Sequence, residues 1–454
     1  VKNGCKLIYQ NQNTFQSHTQ TQKVMNTKIR IAFLVSMFAI PFMASAQFII
    51  GGELRPRAEY RHGFKSPATA DMDAAAFISQ RSRINMGFTN DKMKVGFSLQ
   101  DVRVWGDVAQ LNLSDNSFSV HEAWGEYFFS PSFSVKAGRM ELVYDDARML
   151  GNVDWAQQGR SHDIGLIKYE KGAWKFHAGM AYNQDKEQLS GRVYTVTGNY
   201  KTMQLLWTNY KKGNLNASLL FLNNGMQDSE ETGEEVSYTT RYGQTFGGTA
   251  TYQLNPFTLN GSVYKQTGKV TGNKNLDAIN LALSAKWAIN KQWSFTPGFE
   301  YLSGTSQADA ATPGFNENNS FNPLYGTNHK FNGFMDYYYV GNHLNSVGLQ
   351  NIYFKAGYSK NKFSAGADLH LFSAAADIIN QENPAEILDK NLGQELDLHI
   401  AYKLADAVTL NAGYSQYFAT ESTVALKGGS TSETSNWAWI SVTFKPEFLN
   451  TGKK

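Results

Sequence analysis

Residues 362–371 read KFSAGADLHL: Phe363, Ala365, Ala367, Leu369 and Leu371 alternate with Lys362, Ser364, Gly366, Asp368 and His370. A period of two puts every second side chain on the same face of an extended strand. Leu396, Leu398, Ile400 and Tyr402 alternate in the same way with Glu395, Asp397, His399 and Ala401. So do Trp174, Phe176, Ala178 and Met180 with Lys175, His177, Gly179 and Ala181. One face is apolar, the other small, polar or charged. Helical periodicity is almost absent, so an all-β chain is expected.

Tight-turn signals recur along the chain at Asn90-Asp91, Ser130-Pro131, Lys171-Gly172, Lys212-Gly213, Asn255-Pro256, Asn290-Lys291, Lys360-Asn361 and Ala405-Asp406. Each sits between two alternating runs and so closes a hairpin. The hairpins are separated by longer polar stretches at Arg139 to Ser161, Asn224 to Thr239, Ser303 to Val347 and Ser373 to Leu392. Short connections at one end and long ones at the other are the asymmetry of a transmembrane antiparallel up-and-down barrel, with periplasmic turns and extracellular loops. Eight hairpins plus an unpaired first run (Phe48 to Tyr60) and last run (Asn436 to Phe444) predict about 18 strands. A soluble propeller or sandwich also has many short strands. No blade-like motif repeats, however, and the aromatics Trp174, Trp207, Trp293, Tyr182 and Tyr301 sit at run ends, as interfacial girdles do.

The composition agrees. In 454 residues, 42% are hydrophobic and 13% aromatic, with 39 Gly, 10 Pro and one Cys; the mean hydropathy is −0.42. No repeated apolar runs of roughly 20 residues occur, which excludes a helical membrane protein, and one Cys excludes a disulfide framework. Met25, Lys28 and Arg30, the apolar stretch Ile31 to Ile40 and Ala44-Ser45-Ala46 match a secretory signal peptide. Residues 1–24 read as an upstream over-extension, 25–46 as the signal peptide, 47–445 as a single barrel and 446–454 as a C-terminal tail. Removing residues 1–46 takes away Lys2, Lys6, Lys23, Lys28 and Arg30 and no acid. The exported part is then near neutral, and nucleic acid is not an expected partner.

On the face that should turn inward, Glu53, Arg55, Arg57, Glu59 and Arg61 align in the first strand, then Arg81, Arg83 and Asn85 in the second. In the third, Asp101 and Arg103 shift phase after Gln100, predicting a bulge there. No arginine follows Arg241. Guanidinium groups pair bidentately with carboxylates and stay charged, so such a cluster in a wet lumen would gather anions. The same arginines could instead pair with acids and stiffen the wall. The segment Gly138 to Asp163, GRMELVYDDARMLGNVDWAQQGRSHD, carries Leu150 and Trp155, which a solvated loop does not need. It is expected to fold inward or against the barrel mouth.

This segment resembles the signature of the alginate export family of bacterial outer-membrane proteins. Arg81-Ser82-Arg83, Asp101 to Gly106, Glu300 to Gly304, Phe321 to Gly326, Leu392 to Asp397 and Gly413-Tyr414-Ser415 are similar to it as well. The resemblance implies an eighteen-stranded monomeric barrel in the outer membrane of a Gram-negative bacterium, narrowed by loops and lined by arginines that pass an anionic polyuronate. By motif position these arginines correspond to Arg81, Arg83, Arg103, Arg139, Arg148 and Arg160. The family also draws arginines from later strands, where this chain has none, so the expected substrate widens to anionic or polar saccharides.

The reading is therefore a passive channel contacting outer-membrane lipid. Arg55, Arg57, Arg81, Arg83, Arg103, Arg139, Arg148 and Arg160 form its anion-attracting wall, and Glu122, Glu126, Glu141, Asp145 and Asp154 hold them in place. The alternative is a surface binding protein or adhesin on a plugged barrel. No G-x-S-x-G, H-E-x-x-H, phosphate loop or C-x-x-C is present, so a hydrolase is not expected. No cofactor is expected either. Asp145-Asp146 or Asp71 and Asp73 could offer oxygens to Ca²⁺ at the outer loops but lack a calcium-loop spacing. His329, Asp336 and His343 read as ordinary loop residues, and Tyr337-Tyr338-Tyr339 as packing residues.

Overall fold

The computed structural model describes residues 46–232 and 235–452, and the statements below concern those residues. The over-extension expected over 1–24 and the signal peptide expected over 25–46 lie outside them, Ala46 excepted.

The first half of the wall comprises β1 (Gln47–His62), β2 (Ala75–Thr89), β3 (Met93–Val104), β4 (Phe118–Ser130), β5 (Phe133–Met140), β6 (His162–Lys171), β7 (Trp174–Tyr182), β8 (Thr202–Lys212) and β9 (Leu215–Thr232). The second half continues with β10 (Glu235–Leu254), β11 (Phe257–Lys269), β12 (Asn275–Ala288) and β13 (Trp293–Leu302). A two-residue strand β14 (Glu317–Asn318) precedes β15 (Leu349–Lys360), β16 (Phe363–Ser373), β17 (Asn391–Ala405), β18 (Val408–Phe418), β19 (Ser435–Phe444) and β20 (Glu447–Asn450). Successive wall strands pair antiparallel, β13 pairs directly with β15, and β14 lies parallel on β12. β19 returns to β1, with Arg57 opposite Ser441 and Arg61 opposite Trp437. The result is a closed barrel of eighteen strands, which leaves no unpaired sheet edge around its circumference.

All eight expected turns lie between paired strands: β2–β3, β4–β5, β6–β7, β8–β9, β10–β11, β12–β13, β15–β16 and β17–β18. The alternation sorts as its period requires. On β16, Asp368, His370 and Phe372 are buried inside. On β7, Trp174, Phe176 and Met180 are exposed outside. On β1, Glu53, Arg55, Arg57 and Glu59 are buried on the inner face.

Four expectations are corrected. The polar stretch Asn224 to Thr239 is not a loop: β9 and β10 stay paired out to Thr232 and Glu235, because its Thr, Tyr, Val and Ser residues tolerate a wet two-stranded ribbon. Within the C-terminal tail expected over 446–454, Glu447–Asn450 form β20, which pairs with Ile49 to Gly51 of β1. Trp207 faces inward on β8 and donates its indole N–H to Asp145 (3.1 Å). The bulge falls between Ser98 and Leu99, where the extra residue is His121 of β4. The alternation of β3 therefore runs unbroken through Gln100.

The interior is filled from the long-loop end. Residues 141–161 and 303–347 fold into the barrel and meet there around one parallel bridge, Leu150 to Tyr325. Gly151 N–H donates to the Tyr325 carbonyl (2.9 Å), Tyr325 N–H to Met149 (3.1 Å) and Thr327 N–H to Ala147 (2.9 Å). Their apolar side chains, Leu142, Met149, Leu150, Phe321 and Met335, join inward wall residues such as Leu205, Leu222, Tyr264, Leu302 and Trp437 in one buried cluster. Tyr337, Tyr338 and Tyr339 are buried. Tyr337 stacks on Tyr417 at 3.7 Å, and Tyr338 shares a 2.6 Å hydroxyl contact with it. These three tyrosines pack, as expected.

Candidate functional site

The arginines of β1 and β2 point at a segment of loop backbone that has no strand partner of its own. Buried carbonyls need donors, and a guanidinium supplies several from one side chain. Arg55 donates to the Asp154 carbonyl (2.8 Å) and to the Gln157 side chain (3.0 Å). Arg57 donates to the Trp155 carbonyl (2.7 Å), and Arg83 to the Gln158 carbonyl (3.2 Å) and to Gln100 (2.8 Å). Arg81, fully buried, bridges Glu53 (2.5 Å) and Asp154 (2.6 Å). The wall thus grips residues 154–158 through four guanidinium groups.

Charge in this network is largely matched. Glu59 accepts from Arg57 (2.8 Å) and Arg61 (2.7 Å). Burial pushes the Asp154 carboxyl up, but Arg81 and then Arg55 outweigh it and hold the group below the usual carboxylate range. Arg148, inside the first loop, forms a buried pair with Glu300 of β13 at 2.7 Å. Arg160 differs. It donates to the Gly326 carbonyl at 3.0 Å and, among the described residues, has no carboxylate within ion-pair distance. Burial lowers its pKa from the ordinary arginine value.

Two of the chambers that flank the loops are lined by arginine. The outer one, about 610 Å³, is lined by Arg57, Arg61, Lys65, Trp155, Arg160, His329 and Asp336 among others. The inner one, about 510 Å³, lies toward the short turns beneath Asp145, Asp146, Arg148 and Lys330. The turn Asn328–Lys330 divides them, giving His329 to one and Lys330 to the other. A row of flat groups crosses the lumen at this level. Arg57 lies 3.9 Å over Trp155, Trp155 stacks on His329 at 4.6 Å, His329 on Phe334 at 5.3 Å, and Phe334 meets His399 of β17 at 5.9 Å. His329 Nδ1 also contacts Asp336 at 2.6 Å, whereas His343 bonds the Gly348 carbonyl (2.9 Å).

Six of the eight expected arginines, Arg55, Arg57, Arg81, Arg83, Arg148 and Arg160, lie inside the barrel. Arg103 and Arg139 do not line it. With no bulge in β3, Arg103 shares the outer face with Ser82 and Gln80, opposite to Arg81 and Arg83. Asp101 (2.7 Å) and Asp115 (3.2 Å) hold it there, and from that side it is among the residues lining the outer chamber. On β5, Ser134 and Met140 face in, which turns Arg139 outward to a two-bond pair with Asp163 (2.9 and 2.7 Å).

Of the expected acidic holders, Asp154 grips arginine and Glu141 lies 3.9 Å from Arg83. The other three bind no arginine. Glu122 accepts from the Glu141 N–H (3.0 Å), Glu126 from Ser134 (2.7 Å) and Lys168 (2.9 Å), and Asp145 from Trp207. The main holders are instead Glu53, Glu59 and Glu300. The first two were legible as same-face neighbours of the arginines, while Glu300 lies far along the chain from Arg148 with no local signal. Asp71 accepts from Thr69 (2.7 Å) in an exposed loop, and among the described residues no three ligating side chains gather around a common point.

The family described as Alginate export matches residues 46–438. Among solved structures, Pseudomonas aeruginosa OccK9 (OpdG) aligns with a TM-score of 0.57 at 11% identity, over 88% of this chain and 98% of that one. P. aeruginosa OpdL aligns with the same score and identity over 88% and 99%. P. aeruginosa OpdK, solved with vanillate, aligns at 0.55 and 11% over 88% and 99%. At that identity these likenesses speak to the fold. No curated protein sequence matches.

Proposed function

We propose, from the premise that this chain belongs to the alginate export family and is an outer-membrane channel, that it passes anionic or polar saccharides by passive diffusion through an arginine-bearing lumen, acting as a monomer. The observation that carries this reading is Arg160. Guanidinium groups that only hold the fold end up matched by carboxylates, whereas Arg160 lines the outer chamber and, among the described residues, has no carboxylate within ion-pair distance. A fixed unmatched cation in a narrow, partly desolvated passage attracts anions and repels cations. It also offers a carboxylate two parallel donors. Arg55, Arg57, Arg81 and Arg83 act one step back by fixing the loop on which Arg160 rides. No catalytic step is proposed. The P. aeruginosa relative solved with vanillate, an aromatic carboxylate, is compatible with a smaller anionic solute by the same charge logic.

Planar-bilayer recording tests this. The parent protein is expected to show a reversal potential favouring anions in a salt gradient, and Arg160→Ala to move it toward neutrality with the open-state conductance retained. Cation preference in the parent overturns the reading. The second reading, a surface binding protein on a plugged barrel, is favoured by the two loops that fill the lumen. It predicts no conductance from the parent, together with saccharide binding that is lost when residues 306–345 are deleted.

A further inference from the structure

The inner chamber carries charge of both signs that the fold does not neutralise. Of the charged groups lining it, Arg148 is paired with Glu300 (2.7 Å), and Lys355 with Asp368 (2.9 Å). Asp145, Asp146 and Lys330 remain. All three side chains are exposed within the barrel, and among the described residues none has an opposite charge within ion-pair distance. The two carboxylates come from the first inward loop, where Asp145 accepts from the Trp207 indole (3.1 Å) and Asp146 from the Arg148 backbone N–H (3.0 Å). The ammonium comes from the second, with the Phe331 ring 5.1 Å away. Burial lowers the Lys330 pKa from the ordinary lysine value and Asp146 opposes this, so the two groups face a common space. Arg148 lines the same chamber with its Nε–H buried and without a hydrogen-bond partner. Neutral groups there are matched to one another: Thr251 donates to Asn260 (2.9 Å), and Asn260 to Ser284 (3.3 Å).

Resting on the channel reading above only for the route by which a solute arrives, we propose that the inner chamber is a binding site for small zwitterions. Asp145 and Asp146 take the ammonium group of such a solute, and Lys330 takes its carboxylate. Opposite charges fixed on two loops across a partly desolvated gap set up a field that turns a dipolar solute one way. A solute with a single charge answers one side and leaves the other unpaired; a neutral one answers neither. The idle Arg148 Nε–H is a second donor for the carboxylate. A metal ion fits less well. Among the described residues no three ligating side chains gather here, and Lys330 and Arg148 would repel it. At about 510 Å³ the chamber has the volume of a small-molecule site and admits an amino acid or a short peptide. The outer chamber then selects by the sign of a charge, and the inner one by the presence of both signs on one solute.

The test is a binding titration of the full chain in detergent by ligand-observed NMR, which needs no conductance. The probes are δ-aminovalerate, which carries both charges, and valerate and n-pentylammonium, which carry one each on the same skeleton. The parent is expected to bind δ-aminovalerate about tenfold more tightly than either singly charged probe, as one further charge-assisted contact would give. Asp145→Asn with Asp146→Asn is expected to weaken δ-aminovalerate about tenfold and to leave valerate unaffected. Lys330→Gln is expected to weaken δ-aminovalerate equally and to leave n-pentylammonium unaffected. Arg160→Ala, in the other chamber, keeps the parent's affinity for δ-aminovalerate. A heat-sensitive shift in gel mobility reports that each variant has closed its barrel, and Lys330→Gln alone carries the test if the double variant does not. A parent that binds the three probes alike overturns this inference, as does a Lys330→Gln variant that binds δ-aminovalerate as the parent does. Cation preference of the parent in planar bilayers overturns the channel reading instead.

Discussion

Arg148 and Glu300 are the side chains on which the most is staked. Both are nearly inaccessible, at 1% and 4% side-chain exposure, so each leaves the other as a stranded charge when removed. Breaking such a pair costs ~3–5 kcal/mol, whereas replacing both partners by apolar groups costs far less. Arg148→Met is therefore expected to lower the stability of the loop assembly by that amount, read as faster amide exchange across residues 141–161, and adding Glu300→Leu to restore most of it. Asp154 gives the pH dependence. Its carboxyl is held below the ordinary aspartate value, so its contribution is complete above that value and fades as pH falls through the lowered one. Conductance is expected to become noisier below about pH 3.8, and Asp154→Asn to show the same noise already at neutral pH. The residue scale is also where the sequence misled. Arg103 was placed inside by a bulge that falls on the neighbouring strand, and Arg139 by a motif that says nothing about which way a side chain turns. Strand parity, which one inserted residue reverses, decided both.

At the scale of elements, the alternating runs and their eight turns were legible because each strand sorts its own side chains by a rule that repeats every two residues. The pairing of residues 147–151 with 325–327 was not, because a parallel contact between two loops leaves no period to read. The inward course of Gly138 to Asp163 could still be anticipated, since Leu150 and Trp155 have no place in water. The close fit of the two loops rests on small residues. A Cβ at Gly326 would run into the Arg148 carbonyl, and one at Gly151 into the Thr327 side chain. Gly326→Ala is expected to part the loops and raise single-channel conductance, measured beside unchanged thermal stability of the wall. Conductance equal to the parent's would mean that the loop pair does not set the narrowest point.

At the scale of the whole molecule, the wall and its contents answer to different requirements. The outer face needs only to be apolar and the strands only to be paired, which is why the barrel was readable from pattern alone. The inner face depends on which side chains meet across the lumen, as Arg57, Trp155, His329, Phe334 and His399 do in their row, and those meetings join separate strands and loops. The seam between the first and last strands carries one more consequence. Ile49 to Gly51 find partners only in Glu447 to Asn450 on the seam side of β1. Cutting the chain after Lys445 is expected to lower the temperature at which the gel-mobility shift occurs. Until β19 and β20 reach β1, the nascent sheet has two raw margins, each able to recruit a neighbour's strand. Whatever escorts the chain to the membrane must therefore shield both margins until the seam has closed.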